Sequence, residues 1–187
     1  DAPWPRGDGP GPPLPTWRGD RAVPTFVLGG LSKHCGLPHL KLAWIAALGP
    51  PRARGLALEA LAWLADLFLS VGSPVQAAAP ELLALHAPFA ARVRARLAEN
   101  LAALRSLVAR RPELSLLPAD GGWSAMLRVP ATRTDEAWAL ALAHRGVAVH
   151  PGHFYDVGRG EHLVVSLVVE PPVFAAGLAA LADVAAG

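Results

Sequence analysis

Two lysines close together in the sequence, Lys33 and Lys41, have the residue type and the setting for chemistry on a carbonyl group. Lys33 follows an apolar run and lies in a turn flanked by glycines, where lost hydration would favour the neutral, nucleophilic amine. Such an amine can condense with an aldehyde to form a Schiff base. Lys41 could return across the same site and hold a phosphate with its charge. The spacing alone is also compatible with two ordinary loop lysines beside a tight turn.

The segments that flank the lysines predict the elements that position them. Residues 25–28 and 42–48 are apolar runs ended by glycine or by glycine and proline, so we expect two buried strands. Residues 54–69 have the length and the alanine and leucine content of a helix, with their acidic residues on one narrow stripe, which predicts an internal helix. A second helix is expected at residues 75–85, after Gly72 and Pro74.

The second half of the chain alternates between helix and strand patterns. Apolar residues at threes and fours predict a long amphipathic helix from Pro88 to about Arg111. Thr132 with Asp135 resembles a capping box for a further helix that Gly146 ends. Strands are expected at residues 123–129, 147–149 and 163–169, and a last helix at residues 173–185. This alternation predicts an α/β fold.

The chain is predicted to have three parts. Residues 1–24 hold seven prolines and four glycines, which indicates an irregular lead-in. We expect a domain change within the long helix, because the strand, helix and strand after it could close a small core of their own. The predicted domains are therefore residues 25–95 and residues 96–187.

Composition excludes several classes of protein. Hydrophobic residues make up 52% and charged residues 17% of the chain, so it should fold rather than remain disordered. The net charge of +2 is spread along the chain, which argues against nucleic acid as a partner. The longest apolar stretch, residues 56–71, contains Glu59 and Asp66 and is too short for a membrane span. The single cysteine, Cys35, fits a reducing compartment, so the cytoplasm is the expected location.

The segment around Lys33 resembles the lysine motif of the class I/II aminotransferases, which are pyridoxal-phosphate enzymes of fold type I. The matching residues, in order and spacing, are Ser32-Lys33, Gly36-Leu37-Pro38, Lys41 and Leu42-Ala43-Trp44. The likeness continues at residues 69–76, at Gly121-Gly122-Trp123 and at residues 149–154. It covers essentially all of residues 20–185.

The resemblance implies a fold, a cofactor and a reaction. Part of the aminotransferase large-domain sheet should be followed by a small α/β carboxyl-terminal domain. Lys33 would be the catalytic residue: it would form the Schiff base with pyridoxal 5′-phosphate and shuttle a proton between the substrate α-carbon and the cofactor. Lys41, where most members have arginine, would bind the cofactor phosphate. The substrates would be an amino acid and a 2-oxo acid, and the assembly would be a homodimer.

Three departures from the family pattern leave the substrate and the activity open. Gly30 and Leu31 occupy positions where many members carry a second phosphate-binding hydroxyl. Val164 stands where many members have an arginine that clamps the substrate carboxylate, so a bidentate grip is not available there. The glycine loop, the stacking aromatic, the asparagine and the aspartate that hold the cofactor in the family's amino-terminal half are not found in these 187 residues.

Alternatives to an active enzyme therefore remain. One is a non-catalytic, truncated aminotransferase-like remnant or interaction module. Another is the effector domain of a transcription regulator, which shares the fold but would need a DNA-binding segment. A metal site is not expected, because His150, His153 and His162 have no thiol or carboxylate at ligand spacing.

Overall fold

The computed structural model describes residues 21–119 and 121–186, so most of the predicted lead-in lies outside the described residues. Within them the chain divides into two compact units, residues 21–91 and residues 92–186. Both units combine helices with antiparallel strands, which confirms the predicted mixed α/β class. None of the helices in the described ranges is long and apolar enough to cross a membrane.

The first unit is built around a two-stranded hairpin. Strand β1 (Thr25–Gly30) pairs antiparallel with β2 (Ala43–Leu48), in a register that sets Thr25 opposite Leu48 and Gly30 opposite Ala43. The helices of this unit are α1 (Leu31–His34), α2 (Pro51–Asp66), α3 (Ser73–Ala77), α4 (Ala79–Ala84) and the start of α5 (His86–Ala109). A proline at the start of α2 supplies a preset backbone angle where no amide hydrogen is needed.

Two expectations about burial in this unit were wrong. The strands were expected to be buried, yet Leu28 is 75% exposed and Ile45 is 45% exposed. The helix expected to be internal, α2, has no buried residue, and its Trp63 is 69% exposed. Apolar content predicts that a surface needs cover, but it does not say which part of a protein supplies that cover. The described residues leave these faces open.

The second unit is built on a four-stranded antiparallel sheet in the order β3-β4-β6-β5. The strands are β3 (Ser115–Leu116), β4 (Ser124–Val129), β5 (His150–Pro151) and β6 (Glu161–Ser166). Three helices belong to this unit: the greater part of α5, α6 (Asp135–Ala143) and α7 (Pro171–Ala186).

The core of this unit follows the periodicities of its elements. Alternate residues of β4 (Ala125, Leu127 and Val129) are buried, as the two-residue period of a strand requires. The helices add one buried stripe each, and the core includes Leu97, Leu101, Leu104 and Leu107 of α5, Trp138 and Leu142 of α6, and Phe174 and Leu181 of α7. The Trp138 indole N–H donates to the Pro130 carbonyl at 3.0 Å, so this buried ring leaves no polar atom unpaired.

Several predicted element limits need correction. The cap of α6 is Thr134 rather than Thr132, because the Thr134 hydroxyl accepts a hydrogen bond from the Ala137 amide at 3.2 Å. The short strand expected at residues 147–149 is His150–Pro151. Its bounds are set by its pairing, with His150 opposite Val164, and hydrophobic pattern alone cannot locate such a partner.

Candidate active site

Lys33 and Lys41 both lie in the segment that connects β1 to β2. The Leu31 amide donates to the Leu42 carbonyl at 3.0 Å, so the two ends of the connection are held together. Lys33 is in α1, which begins directly after β1, and Lys41 ends a single 3-10 turn that spans Pro38–Leu40. The structure therefore brings both sequence-predicted site residues onto the same end of the hairpin.

The turn that carries Lys33 is anchored at Leu31. The Leu31 side chain is fully buried, and its carbonyl accepts hydrogen bonds from the Cys35 amide at 3.0 Å and the Leu37 amide at 3.1 Å. Cys35 is also buried, where a free cysteine packs as a small apolar side chain. These contacts fix the backbone on both sides of Lys33, so its position does not depend on the lysine side chain itself.

The expectation that Lys33 is shielded from water is wrong for the described residues. The side chains of Lys33 and Lys41 are both exposed. The desolvation that favours a neutral amine at a strand end requires cover. Since both lysines are exposed, residues 21–91 do not supply that cover.

The chemistry of the two side chains fits pyridoxal phosphate. The cofactor carries an aldehyde, which a primary amine can attack, and a phosphate, which an ammonium group can bind. Lys41 adopts a left-handed backbone conformation, with φ at 52°, which turns the chain sharply just before β2. The space over Gly29 is taken by the chain's own Trp44, whose indole nitrogen would clash with an added Cβ. The match to pyridoxal phosphate therefore depends on the Lys33 amine and the Lys41 ammonium group, and not on a cavity over Gly29.

A histidine pair beside Lys33 was not found by sequence reasoning. The His86 Nδ1 lies 2.8 Å from the His34 carbonyl oxygen, and the two rings are 5.2 Å apart. The His34 ring also meets Trp44 edge-on at 5.3 Å. Partial burial, followed by the neighbouring His86 ring, lowers the pKa of His34, while a hydrogen bond to the Gly30 carbonyl opposes this change. No sequence signal joins residues so far apart in the chain.

The second unit holds the other predicted landmarks. Val164 lies in β6 between Met126 of β4 and His150 of β5, so a non-ionic side chain stands at the expected carboxylate-clamp position. The Trp123 carbonyl accepts a hydrogen bond from the Leu167 amide at 2.8 Å.

A carboxylate in the same unit fixes the loop after β5. Asp135 accepts hydrogen bonds from the His153 amide at 2.7 Å and lies 3.0 Å from the His153 ring nitrogen. Desolvation would raise the pKa of the Asp135 carboxyl, but the hydrogen bonds from the His153 side chain and amide and from the Glu136 amide, together with the charge of the His153 ring, lower this pKa overall. Both residues lie in segments with recognisable sequence patterns, but no pattern joins Asp135 to His153. In the two described ranges no group of three or more His, Cys, Asp or Glu side chains is arranged to hold a metal ion.

Comparison with known proteins bears directly on the family. Residues 15–169 match the family model described as aminotransferase class I and II. No curated protein sequence matches the chain significantly. The family match spans well over half of the chain and includes the segment with Lys33 and Lys41, which confirms the resemblance stated from the sequence.

Solved structures with the same fold include two aminotransferases and a decarboxylase. Tyrosine aminotransferase from Leishmania infantum is 20% identical, with a TM-score of 0.78, and the match covers 89% of this chain and 42% of that one. Alanine aminotransferase from Pyrococcus furiosus is 19% identical, with a TM-score of 0.75 and coverage of 91% and 46%. A decarboxylase from Sulfurospirillum multivorans is 17% identical, with a TM-score of 0.61 and coverage of 86% and 43%.

These likenesses show the fold, and they show that the chain spans less than half the length of the structures it matches. Pyridoxal phosphate is the cofactor that the family indicates, in keeping with the amine and the cation at the end of the hairpin. From the family match, the shared fold and the lysine segment together, the chain belongs to the class I and II aminotransferase family.

Proposed function

We propose that this chain is part of a pyridoxal-phosphate-dependent aminotransferase, in which Lys33 attaches the cofactor and Lys41 binds its phosphate. The observation that carries the proposal is the setting of Lys33. It lies directly after β1 on a connection closed by the bond between Leu31 and Leu42, inside the segment that matches the family. Membership of the family alone would not identify the lysine.

The residues of this chain would bind the cofactor and move a proton. Bound pyridoxal phosphate supplies an electron sink for negative charge on the substrate α-carbon. The Lys33 amine would condense with the aldehyde with loss of water, and the amino group of the substrate would displace it. The released amine would then carry a proton from and to that carbon. Lys41 would hold the phosphate as a point charge, where an arginine would offer a planar fork of donors.

Water must be excluded from Lys33 by residues beyond those described. Both lysines are exposed, and the chain spans less than half of the matched structures. Exposed apolar surface of the kind on α2, with Leu56 61% and Trp63 69% exposed, is typical of a contact surface. We propose that the remainder of the aminotransferase fold and a second subunit of a homodimer cover this side. The low cysteine content supports a cytoplasmic location.

The substrates proposed are an amino acid and a 2-oxo acid. Val164 offers no charge to a substrate carboxylate, so recognition of that carboxylate would depend on another donor. One structure with this fold is a decarboxylase, so the fold alone does not select the reaction. We propose transamination because the matching family model is that of the class I and II aminotransferases.

The test is amino-group transfer by the full chain. The purified full-length protein, with the remainder of the aminotransferase fold present, should form labelled amino acids when it is supplied with pyridoxal phosphate, a pool of amino acids and isotopically labelled 2-oxo acids. Lys33→Ala should abolish their formation, while Lys41→Ala should raise the cofactor concentration required. Formation that persists in Lys33→Ala would refute the role given to this lysine.

A second candidate is the non-catalytic remnant or interaction module. The exposure of both lysines and the short span of the chain favour it. It predicts that the wild-type chain neither retains pyridoxal phosphate through gel filtration nor forms labelled amino acids.

A further inference from the structure

The turn that carries Lys33 is contacted from one side by the first turn of α5. His86, the first residue of that helix, places its Nδ1 2.8 Å from the His34 carbonyl oxygen. A carbonyl can only accept, so the His86 Nδ1 must carry the hydrogen and donate it. The peptide that follows Lys33 by one residue is thereby tied to a helix more than fifty positions further along the chain.

The same helix contacts the turn a second time, one turn further along. Gly36 has φ at +69°, and an added Cβ would lie 2.5 Å from the Phe89 ring. His86 and Phe89 are three residues apart, so they lie on the same face of α5. The helix thus meets the turn at residue 34 by a hydrogen bond and at residue 36 by close packing.

The contacts of His86 and Phe89 lie next to the backbone hydrogen bonds that hold the turn of α1. The Cys35 and Leu37 amides both donate to the Leu31 carbonyl. A loss of the His86 bond would leave the His34 carbonyl without this donor and would loosen the backbone between Lys33 and Gly36.

We propose that His86 is a positioning residue for Lys33: its Nδ1–H holds the His34 peptide and so fixes the direction from which the Lys33 amine approaches an aldehyde. The effect on the reaction of Lys33 with an aldehyde rests on the proposed function. The effect of His86 on the backbone of the turn can be measured without cofactor. It assigns His86 a role that the family motif around Lys33 does not contain.

The test compares His86→Phe, which keeps a ring but has no donor, with His86→Asn, whose side-chain amide can replace the Nδ1–H. His144→Phe, at an exposed histidine of the second unit, is the matched control. Hydrogen exchange of peptides that cover residues 31–37 in the cofactor-free chain is the first measurement. Removal of one hydrogen bond should speed exchange of the Cys35 and Leu37 amides by about two- to tenfold in His86→Phe. His86→Asn should restore slow exchange, and His144→Phe should leave it unchanged.

The second measurement is covalent labelling of the two lysines by pyridoxal phosphate, trapped with borohydride and mapped by mass spectrometry. Lys33 and Lys41 are the only lysines in the sequence, so Lys41 serves as the internal reference. In His86→Phe the yield at Lys33 relative to Lys41 should fall by about two- to tenfold, if the lost bond governs its approach. His86→Asn should recover the wild-type ratio.

The two measurements separate failure of the inference from failure of the proposed function. Unchanged exchange in His86→Phe, or a His86→Asn variant that behaves like His86→Phe, would overturn the positioning role whatever the labelling shows. Changed and rescued exchange without any preference for Lys33 in the wild type would support the positioning role and overturn the function given to Lys33.

Discussion

Asn100 should be among the most sensitive positions in the second unit. Its side chain is 1% exposed, and its Nδ2 donates to the Leu167 carbonyl at 2.9 Å and to the Val169 carbonyl at 2.8 Å. One turn earlier on α5, Arg96 donates to the Val168 carbonyl at 3.1 Å. Two side chains thus supply hydrogen-bond donors to three consecutive carbonyls of the segment that follows β6, of which the Leu167 carbonyl belongs to a buried residue.

The expected effect of Asn100→Ala follows from these bonds. Each intramolecular hydrogen bond contributes roughly 1 kcal/mol, so loss of two should cost about 2 kcal/mol of unfolding free energy. That cost corresponds to roughly a 30-fold change in the folding equilibrium constant. Asn100→Asp keeps the size of the side chain but turns carboxyl oxygens toward the two carbonyl oxygens, so it should destabilise the unit at least as much.

Native-state hydrogen exchange of the β4 and β6 amides is the suitable assay, because it reports on the second unit separately. Glu99→Ala, at an exposed neighbour on the same helix, should change stability by less than about 0.5 kcal/mol. An Asn100→Asp variant as stable as the wild type would refute the hydrogen-bond argument, since only the shape of the side chain would then matter.

Two further perturbations test other parts of the structure. Gly36→Ala should lower the unfolding free energy of the first unit by about 1–3 kcal/mol in urea, because φ is +69° and the added Cβ meets the Phe89 ring. The control is Gly55→Ala, in open space on α2, which should leave the unfolding free energy unchanged or raise it by up to about 1 kcal/mol. Equal effects of the two substitutions would contradict the contact. The Asp135 carboxyl has a pKa lowered from its ordinary 3.8, so it adds stability above about pH 4 that is lost as pH falls through its folded value. Asp135→Asn should therefore be less stable than the wild type near pH 7, and the difference should close below pH 4; a constant difference would exclude this carboxylate as its source.

The sequence predicted well those features that depend on local pattern. Apolar residues at threes and fours placed α5 to within about two residues at either end. Glycines and prolines located the lysine connection, because few other residues can make its turns. The family itself followed from the order and spacing of the residues around Lys33 and Lys41.

The features that sequence reasoning missed depend on contacts between residues far apart in the chain, or on a choice between two residues of the same type that are close in sequence. His86 reaches His34 across 52 positions, and no periodicity joins them. Thr134 and Thr132 are both able to cap a helix, and the amide of Ala137 decides between them. The apolar residues of α2 predicted an internal helix, and this was wrong for the described residues, because an apolar pattern does not show which part of a protein covers it.

The most direct measurement of the central claim is the site of covalent attachment of pyridoxal phosphate. The full chain, incubated with the cofactor, reduced with borohydride and digested, should yield the modified lysine in the peptide that contains Lys33, with Lys33→Ala losing the adduct and its absorbance. An adduct found at Lys41 or at the amino terminus in preference to Lys33 would contradict the account.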